Sequence, residues 1–247
     1  MEIRKPETNH FYKGLIYAPA GHGKTYFLGT AQDDPRTKPM LLLDYEGGTT
    51  TLVGRDIDIV PIHSWDDFSQ VYAMLLSANH PYKSVGVDSI SETHIFSLIN
   101  ILDTDGRTRK NTDRLEQGDY GIALVQMRRL VRKFRDLPLH IIFTALAKEV
   151  ADPREGLIKL PAVPGSFADE LLGIVDSVSY LAMGTIGDGV EDPSIHRFLL
   201  LKNYPSVRLK ARTPMNLEIP NQIVDPTLGK LLDTLGFIEA PINSQGA

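Results

Sequence analysis

The 247-residue chain has no cysteine. That excludes a disulfide scaffold, thiolate metal sites and a cysteine nucleophile, and makes a reducing cytoplasm the expected compartment. Long apolar runs are missing as well. No stretch approaches the roughly 18 consecutive apolar residues of a spanning helix, and Met1-Glu2-Ile3-Arg4-Lys5-Pro6-Glu7 is charged where a signal peptide would be apolar. A soluble, non-exported protein with no membrane partner is expected. Positive charge is in deficit: 26 Lys and Arg stand against 31 Asp and Glu, a net −5, so the total charge gives no reason to expect nucleic acid. The seven histidines show no HExxH spacing and there is no G-x-S-x-G elbow, which leaves zinc-protease and serine-hydrolase chemistry without support. Asp103-Thr104-Asp105-Gly106 is too incomplete for a calcium loop.

What is present is an average globular composition, 42% hydrophobic and 23% charged, with no repeat or low-complexity tract to divide it. The expectation is a single domain over residues 1–240 followed by a short tail, 241–247.

The first half alternates short apolar runs with amphipathic stretches, as βαβ units around a mainly parallel sheet do. Strands are expected at residues 14–18, 39–44, 57–61, 84–88 and 140–145. Ser64-Trp65-Asp66-Asp67 has capping-box spacing ahead of Phe68, Val71, Tyr72 and Leu75, so a helix starts there. Residues 118–136 carry Leu124, Met127, Leu130, Val131 and Phe134 at helical spacing. The second half changes character: a hairpin around residues 152–156, a short helix capped by Ser166, antiparallel strands at residues 176–183 and 195–202, and a helix at 226–235. The class is therefore α/β, a parallel sheet flanked by helices with antiparallel strands in the C-terminal part.

Ala18-Pro19-Ala20-Gly21-His22-Gly23-Lys24-Thr25 fits the phosphate-loop pattern with alanine in place of the first glycine. It follows an expected strand and opens an expected helix, which aims backbone N–H groups at a phosphate. Gly21 and Gly23 would let the backbone curl around the β-phosphate, Lys24 would neutralise β/γ oxygens, and Thr25 would hold Mg²⁺. His22 occupies a variable position at the loop tip, and Tyr26 follows in the first helical turn. ATP and Mg²⁺ are the expected ligands. Asp88 ends a strand, where ligands bind in such sheets, and is the candidate second carboxylate on the Mg²⁺ side. Hydrolysis needs a base or water-positioning group; Glu46, just past the strand 39–44 and before Gly47-Gly48, offers one, whereas Asp44 reads as a loop acid.

A phosphate loop, a strand ending Asp-x-Glu and a strand ending Val87-Asp88-Ser89 together resemble the RecA-type recombinase core. The small form, with Tyr17-Ala18-Pro19-Ala20-Gly21-His22-Gly23-Lys24-Thr25 near the start, is similar to the phage-encoded Sak-type RecA-like ATPases of single-strand annealing, and the similarity spans residues 13–213. It implies a RecA-like P-loop NTPase fold, ATP hydrolysis stimulated by single-stranded DNA, and activation of the attacking water by Glu46. It also implies that Lys210 and Arg212, which look like a Lys-x-Arg finger, reach the γ-phosphate of a neighbouring subunit. The partners implied are single-stranded DNA, further copies of the chain in a ring or filament, and a single-stranded-DNA-binding protein. Thr144 stands at the end of an expected strand near which recombinases carry a glutamine sensor, and so is the sensor candidate.

Residues 107–135 carry nine basic and three acidic side chains, a local excess of six positive charges inside an acidic total. Arg107, Arg109, Lys110 and Arg114 fall in the place of the first DNA loop of RecA-type proteins, and Lys148, Arg154 and Lys159 in that of the second; both sets are candidate phosphate contacts. Two rival functions use the same loop: a small-molecule phosphotransferase, and an ATP-switched adaptor in phage replication or packaging.

Overall fold

The computed structural model describes residues 11–77, 79–105, 115–186 and 194–238. The candidate contacts Arg107, Arg109, Lys110 and Arg114, and the tail from 241, lie outside the described residues.

The apolar runs become strands. β1 (Lys13–Ala18) leads through residues 19–23 into α1 (Lys24–Gly29). β2 (Met40–Asp44) is buried throughout, and β3 (Asp58–Pro61) forms an exposed edge. α2 (Trp65–Leu76) starts as its spacing predicts: the Asp67 N–H donates to the Ser64 hydroxyl while the Ser64 N–H donates to the Asp67 carboxylate. β4 (Ser84–Asp88), α3 (Ile90–Asp105) and α4 (Gln117–Arg135) follow. The second half contains β5 (His140–Asp152), β6 (Gly156–Pro161), α5 (Phe167–Ile174), β7 (Ser177–Ile186), β8 (Ser194–Leu200), β9 (Lys210–Ala211), β10 (Gln222–Val224) and α6 (Leu228–Leu235).

The strands form one sheet in the order β10-β8-β7-β1-β5-β4-β2-β3, with β6 added to β5 and β9 to β7. From β3 to β7 the pairs are parallel; β8, β10, β6 and β9 pair antiparallel. Parallel pairing requires crossovers that cover both faces, and this is why strands such as β2 carry near-continuous apolar runs rather than an alternation. Leu15, Tyr17, Leu41, Leu43, Ile141 and Phe143 point to one face, against Phe68 and Val71 of α2, Met127 and Phe134 of α4, and Leu171 of α5. Ile16, Ala18, Met40, Leu42 and Ile142 point to the other, against Phe27 and Leu28 of α1 and Leu228, Leu231 and Leu232 of α6. Two cores thus clamp the central strands and fix the level at which each strand ends. Among the described residues no helix is long and apolar enough to cross a membrane.

Two expectations are corrected. The strand expected to stop at Ala145 runs on to Asp152, because its outer half finds β6 as an antiparallel partner after the parallel neighbours end. Ser166 does not cap α5; its hydroxyl donates instead to Glu170, 3.2 Å away, in a cluster completed by Arg128. The Arg128 guanidinium donates to the Ser166 hydroxyl oxygen at 3.3 Å, in the place a capping backbone N–H would take.

Candidate active site

The loop after β1 is held by two left-handed glycines, Gly21 at φ 78° and Gly23 at φ 90°, a conformation in which a Cβ is strained. Gly23 accepts the first helical bond of α1 from the Phe27 N–H at 2.8 Å. Lys24 is buried at 6% exposure, and its ammonium reaches only the Ala18 and Pro19 carbonyls, at 3.5 and 3.4 Å. Among the described residues no carboxylate pairs with it. A buried cation with two long carbonyl contacts is a charge prepared for an anion brought from outside. His22 is half-buried, its ring 3.2 Å from the Ala20 carbonyl, and Tyr26 is exposed.

β1, β5, β4 and β2 lie side by side and deliver the remaining groups to this loop. Asp88, at the tip of β4, is nearly covered and accepts hydrogen bonds from Thr25 at 2.5 Å and from Thr144 of β5 at 2.5 Å. The Asp88–Ser89 peptide is cis. Asp44, level with Asp88 in the β2–β4 register, accepts from the Glu46 and Gly47 N–H groups at 3.1 and 2.9 Å. It builds the turn that carries Glu46, but from a buried position at the end of β2 rather than as the surface loop acid expected. Glu46 is exposed and accepts from the Ser89 hydroxyl at 2.5 Å. Gly48 lies against Thr25: a Cβ there would stand 3.9 Å from its hydroxyl. Ser89 was not foreseen; a hydroxyl directly after a strand-end acid was the available signal.

A hydroxyl and a carboxylate at hydrogen-bond distance are the hard oxygen donors that Mg²⁺ takes alongside nucleotide phosphates, so Thr25 and Asp88 fit that ion. When bound, the ion neutralises charge on the phosphates. The chain's own part is to hold Lys24 in the curl of the loop and Glu46 beside Ser89 at the end of β4.

Burial raises the Asp88 carboxyl above the ordinary carboxylate range and Glu46 adds to the rise, while Thr144, Thr25 and Lys24 oppose it. A carboxyl with a higher pKa folded than unfolded contributes stability that is complete below its unfolded pKa and is lost as pH rises through the folded one. Asp88→Asn escapes that loss. The melting temperature of the ligand-free variant, relative to the native chain, should therefore be higher at pH 8 than at pH 4, by a few degrees if the carboxylate costs about 1 kcal/mol. Thermal melts at the two pH values check this; an equal offset at both contradicts it.

Thr144 was expected at a strand end but lies inside β5, opposite Ile16 of β1. There it bridges the strand to Asp88. Lys210 and Arg212 are not brought to the chain's own loop. β9 pairs with Ser177 and Val178, level with Gly14 and Leu15, at the other end of β1 from the phosphate loop. Lys210 donates to the Leu172 carbonyl and, at 2.9 Å, to that of Val175; Arg212 donates to the Gly173 carbonyl at 2.9 Å. Both cations thus satisfy carbonyls at the C-terminus of α5, and burial lowers the Lys210 pKa. Of the hairpin residues, Lys148 donates to the Val163 carbonyl at 2.7 Å, Lys159 lies 3.9 Å from Glu149, and Arg154 is exposed. On α4, Arg128 is bound to Glu170 at 2.9 Å and Arg135 to Asp136 at 2.7 Å.

A phosphate loop at the tip of a central parallel strand, with Asp88 and Glu46 brought beside it at the ends of β4 and β2, defines a P-loop site on a RecA-like fold. The chain belongs to the AAA domain family, whose model matches residues 10–213. No curated protein matches. Among solved structures the chain is similar to one described as "a prototypical ATPase from the type III secretion system of pathogenic bacteria", at 15% identity and a TM-score of 0.42, over 69% of this chain. The chain spans about half of that one, 52%.

Proposed function

We infer that this ATPase requires Mg²⁺, binds single-stranded DNA and acts as a homo-oligomer in annealing or strand exchange, as the RecA-like phage ATPases it resembles do. The observation that carries this reading is the course of β5. Thr144 holds Asp88 beside the phosphate loop, and eight residues later the same unbroken strand ends in a hairpin that carries Lys148, Arg154 and Lys159 beyond the level of the loop. On this reading a change at Asp88 is passed along the strand to the hairpin, where Arg154 is exposed and Lys148 and Lys159 would exchange the Val163 carbonyl and Glu149 for a phosphate backbone. To serve a neighbouring protomer's nucleotide, as the resemblance implies, Lys210 and Arg212 would exchange the α5 carbonyls for phosphate oxygens. Fingers of this kind are worth on the order of 10³–10⁵ in rate and make hydrolysis depend on assembly.

Turnover measured with and without single-stranded DNA across a salt series tests this. Hydrolysis should rise with DNA, and the apparent DNA affinity should fall with salt. Replacing Arg154 and Lys159 by alanine should flatten the log–log slope by about 1.4, at roughly 0.7 per lost phosphate contact. Turnover indifferent to DNA, but raised by a small acceptor molecule, would overturn the reading in favour of a phosphotransferase.

A further inference from the structure

Arg197 of β8 stands opposite Met183 of β7. Tyr180, three residues before Met183, pairs with Tyr17 of β1, so Arg197 is level with the loop that follows β1. Its side chain lies on that loop. A Cβ at Gly23 would fall 2.6 Å from the Arg197 Nε, and the guanidinium carbon is 4.8 Å from the centre of the Tyr26 ring. Gly23 is therefore required twice, for its left-handed backbone and for the room it leaves this arginine.

A second guanidinium, that of Arg55, also approaches Tyr26, at 5.5 Å, but it is accounted for by the Gly29 carbonyl and the Asp33 carboxylate. Arg197 is not accounted for. Its Nε is shielded from water with no hydrogen-bond partner, and among the described residues no carboxylate pairs with its guanidinium. The nearby Asp225 is engaged by the His196 ring at 2.7 Å and by the Arg197 backbone N–H at 3.3 Å. A shielded donor without an acceptor, on a cation fixed against a phosphate loop, calls for an anion.

The sheet order says which part of the nucleotide that anion is. Glu46, Asp88 and Thr144 come from the β2, β4 and β5 side of β1, whereas β7 and β8 lie on the other side. A nucleotide whose terminal phosphate faces Glu46 presents its α-phosphate toward the β7–β8 side. Resting on the ATPase reading of the loop, we propose that Arg197 binds the α-phosphate of the nucleotide within the same protomer, with the Tyr26 ring as the platform that holds the guanidinium flat. This contact differs in kind from a γ-phosphate finger: ADP and ATP both carry the group it grips, so it governs affinity for both.

Calorimetric titration of the full chain with ADP, ATP and the two α-phosphorothioate diastereomers of ADP tests the assignment. Arg197→Gln should weaken ADP and ATP alike, by roughly tenfold or more, the loss of one charge-assisted hydrogen bond. The change should fall on KM more than on kcat. The native chain should distinguish the two diastereomers and the variant should not. If the glutamine variant melts early, Arg197→Lys keeps the charge without the fork and should lose the diastereomer preference with a smaller loss of affinity. Unchanged ADP affinity, or a loss confined to ATP, overturns the α-phosphate contact. A native chain that binds no nucleotide sinks the ATPase reading itself, a result distinct from equal binding by native and variant chains.

Discussion

Lys24→Ala should weaken nucleotide binding by at least about a hundredfold and remove measurable turnover, since an ammonium that meets two phosphate oxygens makes charge-assisted bonds worth about 1.5–3 kcal/mol each. The ligand-free variant should at the same time be no less stable than the native chain. At 6% exposure Lys24 is a buried cation with two long carbonyl contacts and no carboxylate at ion-pair distance among the described residues, so its removal relieves a desolvation cost that the more distant attraction to Asp88 offsets only in part. Equilibrium binding of ADP and a thermal melt in the absence of nucleotide read the two effects separately. A variant that binds ADP normally would show that the phosphates do not sit on this loop. One that loses both binding and fold would show Lys24 to be structural.

Glu46→Gln should bind ATP about as well as the native chain and hydrolyse it about 10²–10⁴ times more slowly, the range expected for a positioned general base. The substitution keeps the side chain's shape. Its amide oxygen can still accept the Ser89 hydroxyl, now 2.5 Å from Oε1, and the turn beneath it is held by Asp44 rather than by Glu46 itself. Position is therefore retained and only the proton-accepting carboxylate is lost. Single-turnover hydrolysis with binding measured in parallel decides the matter. Native turnover by Glu46→Gln would remove it from the reaction and move attention to another group near Ser89.

Much of the fold was legible because its signals are local. The left-handed glycines of the phosphate loop, the Ser64–Asp67 capping box and the apolar strand runs each depend on residues within a few positions of one another, and each is found where its spacing puts it. The length of β5 was not legible. Nothing between Ala145 and Asp152 announces that a strand losing its parallel neighbours will gain β6 on its outer half. Ser166 has the residue type and spacing of a cap, yet Glu170 and Arg128 take its hydroxyl. Propensity proposes such contacts and tertiary neighbours decide them.

By itself the sequence determined that this is an α/β chain with a phosphate loop, and it singled out Lys24, Thr25, Glu46 and Asp88, because backbone curvature and residue chemistry suffice to mark them. Only the tertiary structure decided which of these groups meet. Thr25 and Asp88 are 63 positions apart, Glu46 and Ser89 are 43, and Thr144 and Asp88 are 56. Their contacts exist because β1, β5, β4 and β2 are neighbours and two cores hold those strands in register. The same order sends Lys210 and Arg212 to the far end of the sheet and lays Arg197 on Gly23. Register between strands is set by packing over the whole domain, and no short stretch of sequence contains it.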